Sequence, residues 1–370
     1  MDTERDTGGT GGAGVGAGAA PTLEDVARAA GVSRATVSRV VNGVRNVDPA
    51  IRRAVRSAVD ATGYVPNRAA RSLVTRRAGA VALVVSGAGA DAPGGFAARV
   101  FQDPFFGRVV SGVVRALRPR GVHPVLMCAE TDAERTELLA HLSQGGADGA
   151  LLVSTHPHDP LPGLLARAGL AAVLFARPEP DVLLPSVDLR HRDGGALAAR
   201  HLLAGGRRRI AVIAGPGDVP ASRERVAGCA QALGEAGRQP LAVAEADFTV
   251  EGGERAVLRL LAEHPDLDGV FAANDLMAQG ACLVLREHGR RIPDDVAVVG
   301  FDDSSAATAC RPRLTTVRQP VEDMAAEMVR LLLDGPGAGG ETPGAEAAEG
   351  AGTPGAPVLF APELVVRDSA

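Results

Sequence analysis

Residues 22–43, TLEDVARAAGVSRATVSRVVNG, predict two short helices separated by a tight turn. Thr22 precedes the first helix and Asp25 follows three residues later, which is a variant of the capping box that starts a helix. Gly31 can adopt the positive φ that a sharp turn after a helix requires, and Ser33 caps the second helix. Two helices joined in this way form a helix-turn-helix, so this stretch predicts a DNA-binding module.

The exposed face of the second helix carries side chains that are suited to reading DNA. Arg34 and Arg39 can each donate paired hydrogen bonds to guanine, while the short Ala35 and Thr36 allow close approach to thymine methyl groups. Hydroxyl and amide side chains bind phosphate. The residues that we predict to contact DNA from this module are Thr22, Ser33, Arg34, Ala35, Thr36, Ser38, Arg39, Asn42 and Tyr64. The alternative is a helical hairpin that binds no nucleic acid.

The charge of the chain is unevenly distributed. Its formal net charge is −5, yet residues 22–77 contain eleven arginines against four acids, and residues 78–370 are acidic. A small basic module joined to a larger acidic body is typical of a nucleic-acid-binding protein with a separate regulatory domain. The alternative is an uneven surface charge without a nucleic-acid partner.

Composition argues against several classes of protein. No apolar run approaches the roughly 18 to 20 residues that cross a bilayer, so we expect no membrane span. The first residues, MDTERDTGG, do not have the basic and then apolar pattern of a secretory signal, and we expect a cytoplasmic, nucleoid-associated protein. The four cysteines fit neither a disulfide framework nor zinc-ligand spacing, so we expect no metal and no cofactor.

Beyond residue 78, short β-rich runs alternate with amphipathic helical windows, a pattern typical of parallel α/β sheets. The predicted strands are residues 80–85, 124–128, 149–153, 171–175, 209–215, 269–274 and 296–303. The predicted helices between them include residues 105–119, 133–143, 193–204, 222–236, 252–263 and 275–288. About 290 residues of this pattern fit two lobes better than one.

We predict four segments along the chain. Residues 1–20 form a disordered Gly/Ala-rich tail, residues 22–66 the helix-turn-helix domain, residues 67–77 a linker, and residues 78–370 a two-lobed domain. Within the last segment, residues 335–357 are rich in Pro, Gly and Glu and predict a flexible loop. The predicted fold class is an all-α DNA-binding domain followed by a two-lobed α/β domain of parallel sheets flanked by helices.

From Thr22 to Ser369 the sequence closely resembles the LacI/GalR family of bacterial transcriptional regulators. The matching segments are the helix-turn-helix stretch, GYVPNRAARSL, AGP…SRERVAG, ANDLMAQGA, VAVVGFDD, LTTVRQP and PELVVRDS, in that order. The resemblance implies a periplasmic-binding-protein-like second domain and a homodimer that reads a near-palindromic operator, because a two-fold dimer imposes that symmetry. It also implies a regulator, more often a repressor, whose small polar effector (a sugar or sugar derivative) binds between the lobes.

The segment RAARSLVTRR, after Pro66, corresponds by this resemblance to a hinge helix that folds on operator DNA. Such helices insert leucines into the central minor groove, and the corresponding wedge here is Leu73, with Asn67, Ala70 and Arg71 nearby. An apolar wedge can unstack a base step while arginine holds phosphate. An ordinary linker is the alternative.

Polar side chains follow two predicted strands of the second domain. Ligands of parallel open sheets bind beyond the carboxyl ends of the strands, which is where Asn274, Asp275, Asp302 and Asp303 lie. Such side chains suit a hydroxylated ligand, although capping and turn roles are structural alternatives for them. The residues that the resemblance assigns to effector binding are Phe105, Arg225, Phe248, Asn274 and Asp302.

Two features depart from the family pattern. Where the family often has Asp-Arg after a strand, this chain has Ala176 followed by Arg177. The missing carboxylate weakens the case for a neutral sugar, and Arg177 facing the cleft beside Arg225 favours an acidic or phosphorylated effector as an alternative. The loop at residues 86–104 is longer than the usual connection, and it either reshapes the cleft entrance or is disordered.

Two other protein classes remain as alternatives on the same two-lobed scaffold. A solute-binding protein needs an export signal and has no use for residues 22–77. A small-molecule enzyme needs a nucleophile, an acid/base pair or a metal site, and the nearest candidates, His156 and His158, lie in a Pro-rich loop without further ligands. We therefore predict a regulator and not an enzyme.

Overall fold

The computed structural model describes residues 21–42, 46–65, 77–87, 102–154, 158–176, 182–335 and 357–370. The chain divides into two compact units, Met1–Arg77 and Ala78–Ala370. This division coincides with the end of the predicted linker at residues 67–77. The predicted tail at residues 1–20, and most of the loops predicted at residues 86–104 and 335–357, lie outside the described residues.

The first unit contains the helices α1 (Leu23–Ala30), α2 (Arg34–Val41) and α3 (Pro49–Thr62). The capping box between Thr22 and Asp25 starts α1, and Gly31 ends it with a φ of 66°. Asp48, which the sequence analysis did not single out, caps α3 with its carboxylate. The buried core of this unit consists of Val26, Ala27, Val37, Val55 and Ala58. The predicted helix-turn-helix is therefore confirmed.

The second unit alternates strands with helices. Its strands in the described residues are β1 (Ala80–Ser86), β2 (His123–Ala129), β3 (Ala150–Ser154), β4 (Ala172–Phe175), β5 (Ser186–Leu189), β6 (Ile210–Ala214), β7 (Val243–Glu245), β8 (Gly269–Ala272), β9 (Ala297–Asp302), β10 (Thr315–Arg318), β11 (Val358–Phe360) and β12 (Glu363–Val365). Its α-helices are α4 (Pro104–Leu117), α5 (Asp132–Ser143), α6 (Leu161–Arg167), α7 (His191–Ala204), α8 (Pro220–Glu235), α9 (Val250–Glu263), α10 (Asp275–Glu287), α11 (Ser305–Ala309) and α12 (Val321–Asp334).

These strands form two six-stranded sheets. The sheet of the N lobe has the order β11-β5-β4-β3-β1-β2, and all its neighbours pair in parallel. The sheet of the C lobe has the order β12-β10-β9-β8-β6-β7, and it is parallel except for β12, which pairs antiparallel with β10. The predicted pair of parallel α/β lobes is therefore confirmed.

The chain passes between the two lobes at three places. It leaves the N lobe after β5, because α7 packs on α8 and on β9 and β10 of the C lobe. It returns after β10, because α12 packs on α4 and on β4 and β5 of the N lobe. It crosses again between β11 and β12. Three connections between described strands and helices therefore join the two lobes.

Every strand and helix predicted for the second unit is present, with its ends shifted by no more than two residues. The sequence patterns did not predict β5, β7, β10, β11 and β12, which have only three or four residues each and show no readable alternation. They also missed three helices, of which α12 has buried residues at helical spacing and could have been predicted. No helix in the described part of the chain is long and apolar enough to span a membrane.

Candidate functional site

Local hydrogen bonds fix the amino-terminal end of α2, the helix that is predicted to read DNA. The Ser33 hydroxyl accepts a hydrogen bond from the Thr36 amide at 3.2 Å, and the two hydroxyl oxygens lie 2.9 Å apart. Ala35 and Arg39 are exposed, whereas Val37 on the opposite face is fully buried. α2 therefore turns a polar face to solvent and an apolar face to the core of its unit.

The arginines near α2 differ in their partners. Arg34 forms an ion pair with Glu24 of α1 at 3.2 Å, and Arg28 pairs with Asp25 at the same distance. Arg39 forms no ion pair with another residue of the described first unit. Exposed ion pairs of this kind contribute little to stability, so a base or phosphate can replace the carboxylate partner of Arg34 at small cost.

The other predicted DNA contacts are engaged within the unit. The Asn42 side-chain amide donates to the Ser38 hydroxyl at 3.2 Å, and the Thr22 hydroxyl donates to the Asp25 carboxylate at 2.8 Å. Tyr64 packs half-buried against the core. These bonds hold the helices in place, and DNA contact by these residues stays a prediction. The predicted hinge residues Asn67, Ala70, Arg71 and Leu73 lie outside the described residues.

Arg225, on α8, lies at the centre of the candidate site in the second unit, and only 6% of it is exposed. Its Nη1 donates to the Ala273 carbonyl at 2.5 Å and lies 3.6 Å from the Asp302 carboxylate. The guanidinium carbon lies 3.8 Å from the centroid of the Phe301 ring, which is a cation–π contact. The guanidinium is thus held by a carbonyl, a carboxylate and an aromatic ring.

Arg225 also sets the protonation of His191, a residue that the sequence analysis did not single out. The Nε of Arg225 donates to Nδ1 of His191 at 3.2 Å, so the proton of the neutral ring lies on Nε2. That nitrogen lies 3.4 Å from the carboxylate of Asp188. Burial, and then the charge of Arg225, lowers the pKa of His191. The ring is therefore neutral at pH 7.

Asp302 ends β9 with a φ of 109°, in the left-handed region that an aspartate rarely adopts. Its carboxylate accepts a hydrogen bond from the Gln319 side-chain amide, and its backbone carbonyl accepts one from Arg108 at 2.6 Å. Burial raises the pKa of Asp302 to about 6, although the charge of Arg225 lowers it. The neighbouring Asp303 has a different environment, because it forms ion pairs with two arginines of the C lobe.

Asn274 has a structural role at the start of α10. Its side-chain oxygen accepts a hydrogen bond from the Met277 amide at 2.9 Å, which caps the helix. Its side-chain amide donates to the Phe248 carbonyl at 2.9 Å. Both ends of the Asn274 side chain are therefore engaged within the C lobe, and contact of this residue with an effector stays a prediction.

Asp275 is fully enclosed behind the candidate site. Its two carboxylate oxygens accept hydrogen bonds from the Thr316 hydroxyl at 2.6 Å and from the Ser304 amide at 2.7 Å. Burial, and then the charge of Asp302, raises the pKa of Asp275 to about 8. The capping role that the sequence left open for Asp275 belongs to Asn274, and Asp275 instead joins α10 to β10 and to the loop that follows β9.

Phe248 lies beside the carboxyl end of β6. Its ring occupies the space that a side chain at Gly215 would need, because a Cβ there would lie 2.1 Å from the ring. Phe248 itself has a φ of 63°. The ring is therefore fixed against the backbone at the end of the strand, in a place where it can serve as a stacking surface for a ligand.

Aromatic and acidic side chains of the N lobe lie at and just before the start of α4. The Phe105 ring packs edge-to-face against Phe106 and Phe175, with centroids 5.3 Å apart in each pair. Asp103 caps α4 by accepting a hydrogen bond from the Phe105 amide at 2.9 Å. Burial raises the pKa of Asp103, while the charge of Arg225 lowers it. Asp103 of one lobe is therefore close enough to Arg225 of the other for the two charges to interact.

Asp103 is a site residue that the sequence analysis missed. The Asp-Pro pair at the start of a helix predicts a cap, but the direction of the Asp103 carboxylate depends on how the two lobes meet.

Ala176, which stands where the family often has a carboxylate, has a φ of 87°. Arg177 lies outside the described residues, so its pairing with Arg225 stays a prediction.

Negative charge dominates the described part of the site. Burial lowers the pKa of Arg225, and the carboxylates that oppose this effect are Asp302, Asp103, Asp188 and Asp275. Burial raises the pKa of Asp275 to about 8, which keeps it protonated at neutral pH, whereas Asp302, with a pKa of about 6, is mostly ionised there. No group of three His, Cys, Asp or Glu side chains that could hold a metal ion lies within the described residues. The arrangement offers hydrogen-bond acceptors and one compensated cation to a polar ligand.

Comparison with known proteins gives matches over most of the chain. Residues 22–67 match the family of bacterial regulatory proteins, lacI family, and residues 199–370 match the periplasmic binding protein-like domain. The HTH-type transcriptional regulator CelR of Thermobifida fusca is 47% identical over 85% of this chain and 91% of its own length.

Two solved structures are similar over nearly the whole chain. A transcriptional regulator CelR–cellobiose complex is 42% identical, with a TM-score of 0.69 over 95% of this chain and 100% of that one. The lac repressor dimer bound to operator and the anti-inducer ONPF is 27% identical, with a TM-score of 0.73 over 94% of this chain and 98% of that one.

Proposed function

The chain belongs to the lacI family of bacterial regulatory proteins, and we propose that it is a transcriptional repressor that binds a near-palindromic operator as a homodimer. Its operator affinity is controlled by an uncharged sugar, of the cellobiose type, that binds between the two lobes of the second unit. The proposal rests on two parts of the molecule, the exposed face of α2 in the first unit and the acidic interlobe site in the second unit.

The DNA-binding role is carried by the exposed face of α2. Ser33 caps this helix, Val37 holds it to the core, and the exposed Arg34, Ala35 and Arg39 lie on its outer side. A helix of this width fits the major groove, where arginine can bond to guanine and alanine can contact a thymine methyl group. One such module buries too little surface for tight binding, so two copies act together. A protein with this role works at the nucleoid, in the cytoplasm.

The effector class is carried by the charge balance of the interlobe site. Arg225, the buried arginine there, is already compensated by Asp302 at 3.6 Å and bonded to the Ala273 carbonyl. Asp103 and Asp188 add further carboxylates. An acidic or phosphorylated ligand would meet these carboxylates and, among the described residues of this site, no uncompensated cation, whereas sugar hydroxyls can donate to the carboxylates. Phe248 and Phe105 supply apolar faces for the sugar rings.

We propose a binding role and not a catalytic one for this site. The groups that could move a proton are tied to structural partners, since His191 is bonded to Arg225 and the carboxyl of Asp275 is enclosed by Thr316 and Ser304. The CelR relatives, one of which is described as a complex with cellobiose, point to the same role.

The test of the effector class is calorimetric titration of the full-length protein with cellobiose and with its aldonic acid, cellobionic acid. We expect saturable binding of cellobiose and at least tenfold weaker binding of the acid, because the acid adds a negative charge beside Asp103 and Asp302. Tighter binding of the acid would contradict the uncharged class and would restore the anionic alternative.

A further inference from the structure

Arg108 of α4 in the N lobe also bonds to groups that belong to the C lobe and to a connection between the lobes. Its Nε and Nη2 donate to the two carboxylate oxygens of Glu322, each at 2.8 Å. Its Nη1 donates to the backbone carbonyl of Asp302 at 2.6 Å, and Nη2 also donates to the carbonyl of Gln319 at 2.9 Å. Four hydrogen bonds from one guanidinium fix its position and that of its three partners.

These partners come from different parts of the chain. Arg108 and Glu322 lie on α4 and α12, which pack together in the N lobe. Asp302 is the last residue of β9 in the C lobe, and Gln319 lies in the connection that leads from β10 back to the N lobe. Gln319 also donates through its side chain to the Asp302 carboxylate. Arg108, Gln319 and Asp302 therefore form a closed ring of hydrogen bonds.

The packing of α4 on α12 holds Arg108 in this position. Gly112 lies one turn after Arg108, and a Cβ there would lie 2.8 Å from the Cβ of Ala325 and 2.9 Å from the Cα of Glu322. Only a glycine permits this close approach, which brings the first turn of α12 beside the arginine. Arg108 is also largely buried, with 20% of its side chain exposed, so water replaces its partners poorly.

Asp302 needs such support. Its φ of 109° is costly for a residue with a side chain, and it is maintained only where surrounding bonds determine it. This backbone conformation directs the carbonyl toward Arg108 and leaves the carboxylate beside Arg225. Without the bond from Arg108, the backbone at Asp302 could relax to another conformation. The carboxylate would then no longer be held beside Arg225.

We propose that Arg108 is a positioning residue of the effector site, which holds Asp302 in its ligand-binding orientation and ties that orientation to the N lobe. This inference rests on the proposed function, because it takes Asp302 as a sugar contact. Arg108 itself does not contact the sugar. It acts through the backbone of Asp302 and through Gln319, so that sugar binding at the carboxylate is sensed by α4 of the other lobe.

The chain offers a matched control on the same two helices. Arg115 lies two turns after Arg108 on α4 and pairs with Asp323, the neighbour of Glu322 on α12, at 3.2 Å. It is exposed and bonds neither Asp302 nor Gln319 among the described residues. Arg108→Met and Arg115→Met therefore remove the same charge and one α4–α12 ion pair, but only the first removes the bond to Asp302.

The test compares these variants with the wild-type protein by titration with cellobiose and by amide hydrogen exchange without sugar. We expect Arg108→Met to weaken cellobiose binding at least about tenfold and to speed amide exchange at residues 302–304, 319 and 321. We expect Arg115→Met to leave the affinity within about twofold and these amides unchanged. If Arg108→Met does not fold, Arg108→Lys takes its place. One ammonium group cannot reproduce the forked contacts of the guanidinium, so we expect Arg108→Lys to weaken cellobiose binding as well.

Equal affinities for the two variants, or unchanged exchange at residues 302–304 in the Arg108 variant, would overturn the positioning role. Failure of wild-type protein to bind cellobiose is a different result, which contradicts the proposed effector. The exchange measurement still decides the role of Arg108 in that case, since it requires no ligand.

Discussion

Arg225 Nη1 lies 3.6 Å from the carboxylate of Asp302, and both side chains are more than nine-tenths buried. A buried pair of this kind is costly to break, because the remaining charge has no solvent to stabilise it. In the proposed function, the pair is also the point at which an effector hydroxyl bonds to a carboxylate whose position is already fixed. We therefore expect stability and effector binding to depend on the same two residues.

Replacement of Asp302 by asparagine tests this dependence. Asp302→Asn should weaken cellobiose binding roughly 10- to 100-fold, since a hydrogen bond to a charged group is worth about 1.5–3 kcal/mol. It should also lower the thermal midpoint, because Arg225 loses its counter-charge. Calorimetric titration and thermal unfolding measure the two effects.

The matched control for this variant is Asp193→Asn, which removes the same charge from an exposed pair with Arg190. Asp193→Asn should change neither the affinity for cellobiose nor the thermal midpoint measurably. Equal sugar affinity in Asp302→Asn and Asp193→Asn would remove Asp302 from the effector site.

The raised pKa of Asp275, about 8, predicts how stability depends on pH. A carboxyl whose pKa is raised on folding contributes stability that is fully present below its unfolded value of 3.8 and is lost as the pH rises through the folded value. The free energy of unfolding should therefore fall from about pH 4 to about pH 8 and level off above that, and it should fall less steeply in Asp275→Asn. Thermal unfolding of both proteins across this range measures the difference.

The comparison with the variant isolates Asp275 from other groups that titrate nearby. His191 has a lowered pKa and changes charge within this range, and burial raises the pKa of Cys128. These contributions are the same in both proteins. Parallel pH profiles for the wild type and Asp275→Asn would contradict the raised pKa, because they would show that Asp275 is already ionised in the folded protein.

Removal of Arg39 tests the DNA-reading face of α2. Arg39→Ala should weaken operator binding by about 1–3 kcal/mol, the typical value of a bidentate contact with guanine, and it should leave cellobiose binding unchanged. Fluorescence anisotropy with labelled operator measures operator binding, and calorimetry measures cellobiose binding. Arg200→Ala, which removes an exposed arginine paired with Glu235 in the second unit, is the control and should leave operator binding unchanged. Loss of both activities in Arg39→Ala would instead indicate misfolding.

The predicted minor-groove wedge gives a separate test. Leu73→Ala should lower both the operator affinity and the bend angle of the bound DNA, because a methyl group is too small to unstack a base step. Circular-permutation electrophoresis measures the bend. A bend unchanged from that of the wild type would contradict the wedge assignment.

Local chemistry made the first unit predictable. The capping box of Thr22 and Asp25, the positive φ of Gly31 and the cap at Ser33 each involve residues within four positions of one another, and all are present in the structure. The alternation of strands and helices likewise predicted the two parallel sheets. Short strands such as β5 and β10 were missed because their pairing depends on distant neighbours.

The interlobe site was predicted less completely for the same reason. Arg225 and Asp302 lie together as the resemblance implied, but the contributions of Asp103 and His191 arise only where the lobes and helices meet. No spacing in the sequence relates Arg108 to Asp302, which are 194 residues apart. Asn274 shows the converse, because a polar side chain at a strand end had both its groups engaged in the fold.

The proposed function has two parts: this chain binds a specific operator, and a sugar changes its affinity for that operator. Both parts are tested together by selection of bound fragments from a random DNA pool with the full-length protein, at moderate salt and with or without cellobiose. We expect enrichment of a near-palindrome of about 14 to 20 base pairs and a change in its retention when cellobiose is present. Featureless binding that salt abolishes, with no enriched sequence in either condition, would contradict the proposed function.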